Sequence, residues 1–71
     1  MEEKKEHSSL ANKMAYRPAE VSQVLGLSLP LVYGMIRSGV IPSIRVNNSI
    51  IVPRQQLEEA LSEMVGQEIR A

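Results

Sequence analysis

Apolar residues are scattered as far as Met14 and fall into periodic sets only from Tyr16 onward. Pro18 suits the first turn of a helix, and Val21, Val24 and Leu25 follow it at offsets of 3, 6 and 7. One apolar stripe over Pro18 to Leu25 therefore predicts a helix. Gly26 ends it where a left-handed residue costs least. Ser28 then caps a second helix, with Pro30 in its first turn where a missing N–H is harmless. Val32, Met35 and Ile36 share one side of that helix, Leu31 flanks them, and Gly39 stops it.

The period then changes. Ser43-Ile44-Arg45-Val46 alternates, Asn47-Asn48-Ser49 is a turn cluster tolerant of positive φ, and Ile50-Ile51-Val52 is β-branched throughout, which predicts a β-hairpin. A three-residue loop over Asn47 to Ser49 places Ile44 and Val46 on the side of Ile50 and Val52, with Arg45 and Ile51 pointing the other way. A two-residue loop would flip one strand and scatter the apolar set, so the longer loop is expected. Pro53 opens a last helix in which Leu57, Ala60, Leu61, Met64 and Val65 fall at i, i+3, i+4, i+7 and i+8, with Gly66 as its stop. Two short helices joined by a tight Gly-containing turn make a helix-turn-helix. A hairpin is marginal alone, so its apolar face must lie on the helices. The fold expected is mainly α with a small β-hairpin, a winged helix-turn-helix in the order helix, helix, hairpin, helix. Residues 1–14 hold three Glu, three Lys and few apolar side chains and are expected to form a mobile N-terminal tail. The domain is expected over 15–66, with a C-terminal tail over 67–71.

Composition narrows the function. Seventy-one residues suffice for one small domain, since a chain this short buries only about 60% of its unfolded surface. With 44% hydrophobic residues but only two aromatics, both Tyr, the core must be aliphatic. The absence of Cys removes disulfides, thiolate zinc sites and thiol nucleophiles together, and fits a cytosolic chain. No run approaches the length of a membrane span, and the polar start is unlike a signal peptide, so a cytoplasmic protein with no membrane partner is expected. No nucleophile sits with a base and no Gly-rich loop cradles a phosphate, so neither catalysis nor a cofactor is expected. His7, the only His, lies in the predicted tail, and Glu59 and Glu63 are too few for a metal site. Eight Lys and Arg balance eight Glu, a neutral total without the basic signature usual in nucleic-acid binders.

A resemblance qualifies that neutrality. Tyr16-Arg17-Pro18-Ala19-Glu20-Val21, Leu25-Gly26-Leu27-Ser28, Val32-Tyr33, Ile36-Arg37-Ser38-Gly39-Val40-Ile41-Pro42, Ile44-Arg45-Val46 and Ile51-Val52-Pro53-Arg54 together resemble the excisionase-type DNA-binding domains. These are small winged helix-turn-helix modules related to the DNA-binding domain of MerR-type regulators. The match covers roughly residues 16 to 62, and its strength lies in the order and spacing of motifs that are individually weak. The resemblance implies double-stranded DNA as partner, the second helix in the major groove and the hairpin wing on backbone or minor groove. It also implies a role in excisive recombination, prophage or transcriptional regulation, or DNA architecture.

Placed on that frame, the side of the second helix opposite Val32 and Met35 carries Pro30, Tyr33, Gly34 and Arg37. Arg37 is the candidate for a phosphate or guanine, and the alternative is a solvated surface Arg. Tyr33 either reaches a phosphate or sugar or lies half-buried over the domain. Ser28 is first a cap and second a phosphate contact. Arg45, Arg54 and the tip Asn47, Asn48 and Ser49 are candidates on the wing, the tip residues being explained also, and more simply, as turn formers. The sequence also departs from the family pattern. Relatives commonly carry Arg, Ser and Thr where this chain has Leu29, Pro30 and Leu31, a basic residue at Gly34, Gly-Arg-Arg at Asn47 to Ser49, and Arg at Ile51. Leu29 and Ile51 are left to pack locally, touch a thymine methyl or meet another protein. Within 15–66 only Arg17, Arg37, Arg45 and Arg54 are cationic, against Glu20, Glu58, Glu59 and Glu63. Arg37, Arg45 and Arg54 are expected on one DNA face and the last three Glu elsewhere. Binding by one copy should be weak and salt-sensitive, and aided by further copies on adjacent sites or by a recombinase (integrase) or RNA polymerase. The competing function is a protein-interaction module that keeps the fold and has largely lost DNA affinity.

Overall fold

A computed structural model describes residues 13–70. The predicted N-terminal tail, apart from Lys13 and Met14, lies outside the described residues, as does Ala71. The elements are β1 (Ala15–Tyr16), α1 (Pro18–Leu25), α2 (Leu29–Arg37), β2 (Ile44–Val46), β3 (Ser49–Pro53) and α3 (Arg54–Met64). Three helices and a small antiparallel sheet give a winged helix-turn-helix, as the pattern of periods predicts.

β1 has no counterpart in the sequence reading, because two residues carry no period. It pairs antiparallel with β3, Ala15 opposite Pro53 and Tyr16 opposite Val52, so the sheet has three strands in the order β1-β3-β2. Its gain is the burial of Tyr16 beside Val52. Those two join Val21 from α1, Val32 and Met35 from α2, Ile41 from the connection and Leu57 from α3 in a single buried cluster. The core is aliphatic but for Tyr16. Leu25, Leu27, Ile36, Val40, Leu61 and Ile69 pack around it, so the C-terminal segment returns to the domain through Ile69.

The hairpin corrects the expected loop. Val46 is paired with Ser49, Arg45 with Ile50 and Ile44 with Ile51, which leaves a two-residue turn at Asn47-Asn48. Asn47 takes a left-handed φ of 56°, the handedness that lets a two-residue turn match the twist of its strands. The register follows the turn and overrides the apolar alternation. Ile44 and Val46 stand with Ile51 on the outer face, 52% and 47% exposed in the first two cases. Arg45 and Ile50 share the inner face with Val52, nearer the tip. Ser49 belongs to β3 and not to the turn.

Two further apolar positions fall outside their predicted stripes. Val24 is 45% exposed, because on the α1 wheel it lies on the side of Val21 away from Pro18 and Leu25. Val65 is exposed because α3 ends at Met64 and Val65 takes an extended backbone with ψ 128°.

Candidate nucleic-acid interface

The geometry of the site begins in the turn between the first two helices. Gly26 adopts φ 71° and its N–H donates to the Ser22 carbonyl at 2.9 Å. The Leu27 N–H reaches the same carbonyl at 3.1 Å, while the Ser22 hydroxyl donates to the Leu27 carbonyl. Ser22 thus clamps the turn from both sides, a role absent from the sequence reading; its one signal is a hydroxyl in the last turn of a helix. The Ser28 hydroxyl then accepts from the Leu31 N–H at 3.3 Å, as the capping pattern predicts. Between α1 and α2 the chain swings through 113°, within the range that distinguishes a helix-turn-helix from a straight helical hairpin.

This turn fixes which side of α2 faces out. Val32 and Met35 are buried, and Pro30, Tyr33 and Arg37 are exposed, with Gly34 half-buried between them. Tyr33 keeps 39% of its surface and Leu29 37%, so the tyrosine lies partly over the domain with its ring still accessible. The exit from α2 is equally fixed. The Met35 carbonyl accepts from Val40 N–H at 2.9 Å, Ile41 N–H at 3.1 Å and the Ser38 hydroxyl at 3.2 Å, which drops Ile41 into the core and launches the wing.

Charge on this surface is sparse and sorted by pairing. Lys13 is engaged by Glu20 at 2.6 Å, Arg54 by Glu58 at 3.1 Å and Arg70 by Glu68 at 3.1 Å. Glu58 therefore turns back to Arg54, contrary to the expectation that the two face different ways; at i, i+4 on α3 they are neighbours. Among the described residues, Arg17, Arg37 and Arg45 make no ion pair. Arg37 on α2 and Arg45 on the wing are both exposed. Nor do the described residues group three His, Cys, Asp or Glu as a metal site would require. No single helix among them is long and apolar enough to cross a membrane.

The family model described as a helix-turn-helix domain matches residues 15–64, which takes in every element from β1 to the end of α3. No curated protein and no solved structure matches the chain.

Proposed function

We propose, from the premise that this chain belongs to the helix-turn-helix domain family, a DNA-binding and not an enzyme family, that it is a sequence-specific binder of double-stranded DNA of excisionase or prophage-regulator type. α2 enters the major groove, with Arg37 on a phosphate or guanine and Tyr33 on backbone or sugar. Ser28, beside its capping role, contacts a phosphate at the start of α2. The wing, through Arg45, the turn residues Asn47 and Asn48 and the adjoining Ser49, rests on backbone or minor groove, and Arg54 contributes only once freed from Glu58.

The observation that supports this reading best is the pairing pattern: Arg37 and Arg45, on the two elements a winged domain presents to a duplex, are exposed and unpaired by any described carboxylate. Few cations mean modest affinity, so neighbouring copies on adjacent sites, or a recombinase or RNA polymerase, supply the remainder. Arg37→Ala is expected to abolish the specific footprint in a DNase protection experiment, and an unchanged footprint would overturn the assignment of α2.

A second reading, a protein-interaction module on the same fold, draws on the outer wing face, where Ile44 and Val46 are exposed and Ile51 beside them is half-buried. A DNA titration followed by amide chemical shifts separates the two. Shifts over residues 28–37 and 45–51 that salt reverses support DNA, and their absence at low salt supports a protein partner.

A further inference from the structure

We propose that the first turn of α2 reads thymine methyl groups, so that the preferred DNA site is marked by thymines in the major groove. The inference rests on the DNA-binding reading above and adds the chemical feature that is read. On the outward side of α2, Leu29, Pro30 and Tyr33 lie within an arc of about 100°, with Arg37 one turn beyond Tyr33. Leu29 and Pro30 form the start of the helix and both are exposed. In a docked recognition helix, these N-terminal positions come nearest the base edges.

Only the Tyr33 hydroxyl and the Arg37 guanidinium on this side can hydrogen-bond a base. In the major groove guanine presents two acceptors, cytosine a donor, adenine one of each, and thymine an acceptor with a C5 methyl, the single apolar mark. Leu29 and Pro30 have no polar side-chain atom, so the methyl is what they can distinguish. Against a base that presents an amino group instead, Leu29 would bury a donor without a partner, which is a penalty and hence a source of selectivity. The positive end of α2 and Arg37 supply attraction to the duplex. Leu29 then discriminates where a cation at the same position would add affinity regardless of sequence.

The test uses the full chain to enrich a randomised duplex library. The enriched duplex is then synthesised once with thymidine and once with deoxyuridine in its place, and both are titrated by fluorescence anisotropy. Loss of the methyls is expected to weaken binding about fourfold for each one buried against α2. Leu29→Ser, checked for folding by its circular dichroism melt, is expected to lose most of that difference while still binding. Equal affinity of the unaltered chain for the two duplexes, or enrichment of sites without thymine, would overturn the inference and leave the DNA-binding reading in place. No binding to any duplex at low salt would overturn the DNA-binding reading itself.

Discussion

Glu20 stands in the sequence as part of the Tyr16–Val21 motif and as a negative charge offsetting an arginine, yet it also ties Lys13 to the start of α1. Its Oε1 accepts from the Arg17 N–H at 2.9 Å and its Oε2 from the Lys13 ammonium at 2.6 Å. The Lys13 hydrogen bond first, and the Arg17 N–H second, hold the carboxyl below its ordinary value of 4.5. A carboxylate lowered in this way stabilises the fold above its unfolded pKa, and that contribution fades as pH falls through the lowered native value. Glu20→Gln is therefore expected to reduce Tm at neutral pH, with the gap closing below about pH 4.5; melts that stay equally far apart into the acid range would contradict this. For a partly exposed pair the size should be a few tenths to about 1 kcal/mol. The residue was visible in the sequence, three positions after Arg17, but its partner Lys13 lies seven positions back and is brought to it only by the path of β1 into α1.

At the scale of elements, the caps and the turn carry separate costs. Ser28→Ala removes the one side-chain acceptor at the start of α2 and is expected to destabilise by about 0.5–1 kcal/mol in urea titrations, the low end for a cap whose hydrogen bond is as long as 3.3 Å. Asn47→Ala keeps a Cβ at φ 56° but removes the short polar side chain that makes asparagine tolerant of the left-handed region, and should cost up to about 1 kcal/mol. Asn47→Gly should be tolerated at that φ, so the two melts should lie on opposite sides of, or at unequal distances from, the unaltered chain. The helices were legible because each combines a period with a Pro at its start, and Gly26 and Ser28 mark the turn between the first two. The hairpin was legible as a hairpin but not in register. Its apolar residues are β-branched on both faces, so alternation alone does not decide the loop length, and the backbone handedness at Asn47 does.

At the scale of the molecule, the neutral total gives way to distribution. Three of the described cations are occupied by carboxylates; on the proposed DNA-binding reading, Arg17, Arg37 and Arg45, joined by Arg54 once it leaves Glu58, are the cations that meet phosphates. With at most about four phosphates neutralised, the slope of log K against log salt should be no steeper than about −3.6, measured on a duplex holding one site; a slope near −8 would mean that another surface, or residues 1–12, carries the binding. The sequence by itself determined the helix-turn-helix, the aliphatic core built on Val21, Val32 and Leu57, the cap at Ser28 and the outward side of α2, because each depends on residues within a few positions of one another and on fixed helical periods. Only the tertiary structure decided the third strand, the outward turn of Ile44 and Val46, the clamp by Ser22 and the capture of Arg54 by Glu58. The third strand needs β3 brought beside residues 15–16; the other three are local in sequence, but several backbone and side-chain conformations satisfy the same residue pattern, and the folded backbone, at Asn47 above all, selects one of them.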